Sequence, residues 1–348
     1  MNETHLTGLE GTNPLAFLAA LGVQVAFASE PEQPSLWWSD DVTPHAVVDG
    51  DFTIDRITDQ AMEVFTQWKN SLALMPKRLD GTAMRKGNEL KLTTDDIRIY
   101  LSQACQCQSA GALMTALVAE GSLDRQGVAK PSDLYFTAGQ QKFLNMIRQI
   151  LGGATRKDVL VGLEGPWEYE SKLPSLKWDL CDDREYALVA ENPSDEKLTN
   201  PGPEALSILG LSRFPVFAGR DRTLTQGCSG KWTKSQYSWP LWHKPARLNA
   251  VKSLLAHAYD PAAMDRQRWF NSWGVSRVYR SQIRRSGQGG YGTFMPPQII
   301  WQASTRQHDK SREARWSHLF DSMDRLGSEA KANGLTNSEL DMLLADES

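Results

Sequence analysis

Seven arginines (Arg266, Arg268, Arg277, Arg280, Arg284, Arg285 and Arg306) fall between Arg266 and His308, a stretch without a single aspartate or glutamate. Widening the window to Ala205–His308 gives fifteen Lys and Arg against three acids, Asp221, Asp260 and Asp265. This third therefore carries +12, and because the whole chain carries −4 the remainder carries −16. Aromatic residues are interleaved with the cations: Trp232, Tyr237, Trp239, Trp242, Trp269, Phe270, Trp273, Tyr279, Tyr291 and Phe294. Planar guanidiniums beside π faces suit a phosphate backbone with accessible bases. Arg280, Arg284 and Arg285 are the first candidates for phosphate contact, with Arg277, Tyr279 and Arg268 next. The competing reading is an arginine-rich sheet face paired with acids from elsewhere in the chain.

Catalytic chemistry finds fewer anchors. Asp158, Glu170 and Lys172 fit the spacing of metal-dependent nucleases, in which two carboxylates hold Mg²⁺ and a lysine orients water. The six histidines never pair at i,i+4 and the sequence offers no His-Asp dyad, so metal or phosphohydrolase chemistry has no other footing. Cys105, Cys107, Cys181 and Cys228 lack C-x-x-C spacing, which argues against zinc and for reduced thiols. Gly287-x-Gly289-x-x-Gly292 matches the dinucleotide string, but Thr293-Phe-Met-Pro-Pro297 cannot open the helix that fingerprint requires. It reads as a hairpin turn that lets a backbone approach phosphates. Trp239-Pro240-Leu241-Trp242 reads as a packed corner rather than a base-stacking platform.

These residues need elements to hold them. Asn13 can cap a helix, Pro14 suits its first position and Gly22 is placed to stop it, so Leu15–Leu21 reads as a central core helix. The same apolar segment ends like a signal peptide at Ala26-Phe-Ala28 but has no cationic residues before it, and no run approaches the ~18 apolar residues of a membrane span. Trp37–Asp41 falls in a loop-rich region. Apolar spacing predicts helices over Arg56–Met75, Thr94–Leu117 (opened by Thr93, Asp95 and Asp96), Ala138–Leu151, Leu206–Leu211 and Arg247–Ala258. Strands are predicted at Asp133–Phe136, Asp158–Leu163 and Phe214–Phe217, with a hairpin over Arg220–Trp242. Trp273–Arg284 alternates, placing Val275, Arg277, Tyr279, Ser281 and Ile283 on one side and Ser276, Val278, Arg280, Gln282 and Arg284 on the other. Thr293–Gln302 returns beside it. Asp309–Ser348 is charged and helical in pattern, with Asn333-Gly334 as a break.

Three blocks resemble accessory proteins of type I-G (formerly I-U) CRISPR systems. The first is Gly8-Leu-x-Gly11-Thr-Asn13-Pro14-Leu with Ala20-Leu21-Gly22. The second runs from Ser175-Leu-Lys177-Trp178-Asp179 through Asp183-Arg184, Tyr186-Ala187-Leu188 and Asn192-Pro193-Ser194 to Glu204-Ala205-Leu206. The third is Trp239-Pro240-Leu241-Trp242 with Arg247-Leu-x-x-Val251-x-Ser253-Leu254-Leu255. Together they cover about a third of the chain, and none is a catalytic signature.

The sequence thus predicts an α+β protein: one large domain over 1–308, with its basic, aromatic-rich subregion at 205–308 and an arginine-bearing β-hairpin, and a helical tail at 309–348. The resemblance implies a cytoplasmic component of a type I-G CRISPR antiviral system, and the lack of catalytic motifs points to a non-catalytic role without a cofactor. It would hold the backbone of crRNA or target DNA, since base pairing does the reading, while its acidic remainder meets other effector subunits. A metal-dependent nuclease and a protein-only scaffold are the alternatives.

Overall fold

The computed structural model describes residues 3–136, 141–181, 198–219, 223–257, 269–285 and 292–303. The chain opens with strand β1 (Glu3–Glu10) and helix α1 (Pro14–Ala26). Asn13 starts the helix, its Oδ1 accepting the Leu15 N–H at 3.0 Å, and Pro14 occupies the first turn, where a missing N–H costs nothing. All thirteen residues of α1 are buried.

The elements that follow are β2 (Leu36–Trp38), β3 (His45–Asp49), α2 (Ile54–Lys69), α3 (Thr94–Ser102), α4 (Gly111–Leu117), α5 (Phe143–Gly153), α6 (Arg156–Glu164) and α7 (Pro201–Leu211). Beyond them lie β4 (Val216–Ala218), β5 (Thr223–Thr225), β6 (Cys228–Ser229), β7 (Gln236–Trp242), α8 (Leu248–Leu255), β8 (Val275–Arg285), β9 (Gly292–Phe294) and β10 (Gln298–Gln302). One sheet has the order β1-β3-β2. A second runs β10-β8-β7-β6 with β9 also on β8, and β4 pairs with β5 in a separate ribbon. Every strand pairing is antiparallel, and the helices lie in runs between the strands. This is an α+β fold.

Gly22 does not end α1. A Cβ there would lie 1.9 Å from the Leu206 carbonyl oxygen, and one at Gly210 would lie 1.9 Å from that of Leu18. The two glycines let α1 and the equally buried α7 cross backbone to backbone, so the residue expected to stop the helix instead permits its closest packing. On its other flank α1 meets the sheets: the Phe17 ring stacks on Trp38 at 5.7 Å and approaches Trp239 at 6.2 Å and Trp242 at 6.4 Å. Both strand tryptophans are fully buried, the Trp239 indole donating to Gly11 O (2.8 Å) and that of Trp242 to Leu36 O (2.6 Å). They form a packed corner.

Other elements depart from expectation for local reasons. Asp158–Leu163 is helical, because Thr155 and Asp158 form a reciprocal capping box that starts α6. Asp133–Phe136 is a turn segment, pinned by the Asp133 N–H on Thr225 Oγ (2.7 Å) rather than by a partner strand. The Thr94–Leu117 helix is broken by a 3-10 stretch at Ala104–Ala110, where Gly111 lies too close to the Ala104 carbonyl for a side chain. Trp37 and Trp38 stand in a strand, not a loop. Thr293–Gln302 divides into β9 and β10 around Pro296-Pro297, which have no N–H to give a ladder. Arg220–Trp242 gives β6 paired with β7, while β5 turns back onto β4. Among the described residues no helix is long and apolar enough to cross a membrane.

Candidate nucleic-acid interface

β8 is the predicted arginine strand, and its register decides what each arginine does. Tyr279 lies opposite Trp239, Ser281 opposite Tyr237 and Ile283 opposite Phe294, and all of these are buried. The rings form a continuous inner ladder: Phe294 to Tyr237 at 5.5 Å, Tyr237 stacked on Trp239 at 5.3 Å, and Trp239 stacked on Tyr279 at 5.8 Å. Period-two alternation then turns Arg280, Gln282 and Arg284 outward. Across the strands they neighbour Ser238 and Gln298 (beside Arg280) and Gln236 (beside Gln282). Arg280 is half-buried and its Nε donates to Ser238 Oγ at 2.9 Å, whereas Gln282 and Arg284 are exposed. The outer face is thus a stripe of arginine, glutamine and serine, and Tyr237, Trp239, Tyr279 and Phe294 lie on the opposite face.

The remaining predicted contacts divide sharply. Arg285 is a structural residue. Its guanidinium donates to the carbonyls of Asp133 (2.6 Å), Tyr135 (3.3 Å) and Trp232 (3.2 Å), and its carbon sits 3.6 Å from the centre of the Trp232 ring. Burial pushes its pKa down to about 10, with Asp133 and Cys228 opposing the shift. Arg277 ties β8 to the preceding β2–β3 connection through the carbonyls of Asp41 (3.2 Å) and Val42 (3.3 Å). Tyr279 is in the core. Arg268 lies outside the described residues, as do Arg266, Arg306, Tyr291, the glycine turn before Gly292, the 182–197 part of the second resemblance block, and 304–348.

Sequence reasoning singled out Trp232 but not the lysines around it. Lys231, Trp232 and Lys234 are exposed at the 3-10 turn Trp232–Lys234, which Lys231 precedes and Arg285 fastens to β8. The signal was the Lys-Trp-Thr-Lys string itself, but its contact with Arg285 brings together residues 53 positions apart. Trp232 and Trp269 are exposed aromatics of the basic region (36% and 58%).

Of the nuclease candidates, Asp158 and Glu170 line one small cleft and Lys172 does not. The Asp158 carboxylate accepts from both the N–H and Oγ of Thr155 (2.7 and 2.6 Å). It shares a cleft of only about 60 Å³ with Glu168 and Glu170, and Lys172 is not in the lining. Among the described residues no three His, Cys, Asp or Glu side chains are placed to hold a metal ion. The histidines hold a surprise instead. His5 Nδ1 and His45 Nε2 lie 2.8 Å apart across β1 and β3, with Asp41 at 3.4 Å from His45 and Glu3 at 3.5 Å from His5. Burial, and secondarily His5, lowers the His45 pKa against the pull of Asp41. Forty residues separate the two rings, so only the strand pairing reveals them.

No protein-family model matches the chain, and no curated protein matches it.

Proposed function

We propose that this protein is a non-catalytic nucleic-acid-binding component of a type I-G CRISPR antiviral system, holding the backbone of crRNA or target DNA through the outer face of β7, β8 and β10. The observation that carries the reading is the stripe Arg280-x-Gln282-x-Arg284 standing outward on a sheet whose neighbours on that face are Ser238, Gln236 and Gln298. Arginine forks and amide donors with no carboxylate among them suit phosphate and sugar oxygens, and Lys231 and Lys234 extend the positive field. Because the ladder aromatics are turned inward, contact is with the backbone rather than by base stacking, except where Trp232 stands exposed. The three sequence blocks supply the biological setting, and other effector subunits are the proposed protein partners.

The test is binding of the purified chain to labelled single- and double-stranded DNA and RNA across a salt series, beside an Arg280→Ala/Arg284→Ala variant. The reading expects affinity to fall steeply with salt, and the slope to flatten in the variant by about one unit for each lost phosphate contact. Absence of salt-dependent binding to all four nucleic acids overturns it in favour of a protein-only scaffold.

A further inference from the structure

A second concave surface lies far along the sequence from β8, where β1 runs over the end of α6. It encloses about 450 Å³ and its lining includes Glu10, Asn13, Glu164, Trp167 and Tyr169. The volume is that of a small-molecule site, whose usual range is about 300–1,000 Å³. β1 lies directly against the helix end: a Cβ at Gly8 would fall 2.5 Å from the Gly162 carbonyl oxygen and 2.7 Å from the Gly165 nitrogen. Only glycine allows that approach.

Both rings are fastened by their polar tips. The Trp167 indole N–H donates to Gly162 O at 3.1 Å, and the Tyr169 hydroxyl donates to Asp179 at 2.7 Å. The other oxygen of that buried carboxylate accepts from the Asn13 amide at 2.9 Å. Tyr169 stands at φ 51°, a left-handed conformation that side chains rarely adopt, and its N–H is held by Asn200 Oδ1 at 3.0 Å. The rings meet edge to face at 6.5 Å and remain half-exposed, so hydrocarbon and π surface, not their hydrogen-bonding tips, is left to meet a ligand.

The charge of the cleft is of one sign. Its lining includes two acidic residues, Glu10 and Glu164, and no lysine or arginine. Among the described residues neither carboxylate has an ion-pair or hydrogen-bond partner. Elsewhere on the same acidic half Asp55 and Asp59 are held by Arg156, Asp96 by Arg78 and Glu120 by Arg98. An anion would be repelled here, and an apolar ligand would desolvate two carboxylates without pairing them. A cation satisfies both features, because carboxylates neutralise it and the electron-rich faces of Trp and Tyr attract it. We infer that this cleft binds a guanidinium or alkylammonium group, carried by a small organic amine or by a basic side chain of a protein.

The test is calorimetric titration of the full-length chain with agmatine and, separately, with N-acetyl-glycyl-arginyl-glycinamide, with the citrulline peptide of the same shape as the neutral control. Saturable binding of at least one cationic probe and none of the citrulline peptide is expected, and Glu10→Gln/Glu164→Gln should weaken it at least about tenfold. Both carboxylates are exposed and the substitutions keep their shape, so the variant retains the fold. A Trp167→Leu variant with both carboxylates intact should also lose affinity. Tighter binding of the peptide assigns the group to a protein side chain, and tighter binding of agmatine to a small amine. Failure of both cationic probes to saturate, equal binding of the citrulline peptide, or unchanged affinity in the glutamine variant overturns the inference.

Discussion

The outer face of β8 and the cleft beneath β1 are assembled from the same two ingredients, aromatic rings and charged side chains, and the fold treats them oppositely. On β8 the strand period sends Arg280 and Arg284 outward and Tyr279 and Ile283 inward, so charge and rings are parted by the thickness of the sheet. At the cleft the chain is irregular after α6, with Tyr169 in a left-handed turn, and aromatic and acidic residues line one space. Proximity in sequence therefore means separation in a strand and can mean convergence in a loop. Both regions depend on α1: Asn13 reaches Asp179 at the cleft, and Phe17 packs beneath Trp239 of the sheet.

The largest expected effect removes the support common to both. Gly210→Ala places a methyl group against the Leu18 carbonyl, and α1 and α7 must separate. A loss of about 4 kcal/mol or more is expected, read from the urea midpoint, with both surfaces failing together. A stable, cooperative variant would show that the crossing tolerates a side chain and that the two regions do not share this foundation.

Next comes a contrast within β8. Arg285→Ala strands three carbonyls and the Trp232 ring, and should cost about 2–3 kcal/mol of stability. Arg284→Ala should leave stability within about 0.5 kcal/mol and lower nucleic-acid affinity instead. Equal effects of the two substitutions on stability would erase the distinction between the structural and the outward arginine.

Alkaline pH should strain the buried ladder. Burial raises the Tyr237 pKa, and that of Tyr100 in the helical half, above the ordinary 10.0. The folded state keeps these protons where the unfolded chain releases them. The stability they provide is thus complete below about pH 10 and falls as pH rises beyond it. Chemical denaturation between pH 8 and 11 checks this, and Tyr237→Phe should flatten the fall. The smallest effect lies at acid pH near β1. The His45 pKa is lowered from 6.5, chiefly by burial, so the unfolded chain takes up a proton that folded His45 resists. Stability should decline as pH drops below about 6.5, and His45→Asn should remove that slope.

The local signals were legible wherever a short stretch decides its own structure. Asn13-Pro14 announced the start of α1, Thr93 capped α3 through the Asp96 N–H (3.4 Å), and the alternation predicted over Trp273–Arg284 is a strand from Val275 to Arg285. Asp158–Leu163 was misread because β-branched content outweighed a capping box that a Thr-x-x-Asp spacing also spelled out. For the candidate site, the alternation placed Arg280 and Arg284 together on the polar side of β8. The role of Arg285 escaped, since its partners lie at Asp133, Tyr135 and Trp232, up to 152 residues away.

Composition and period alone determined an α+β chain with sorted charge, a buried first helix and an arginine strand with two unlike faces, because each follows from residue type and spacing along a few turns or pleats. Tertiary structure alone decided that Gly22 joins two helices rather than ending one, that Arg285 is fastened to three carbonyls while Arg284 is exposed, and that His5 meets His45. Those outcomes depend on which distant backbone arrives opposite each residue, and short-range periodicity carries no record of that.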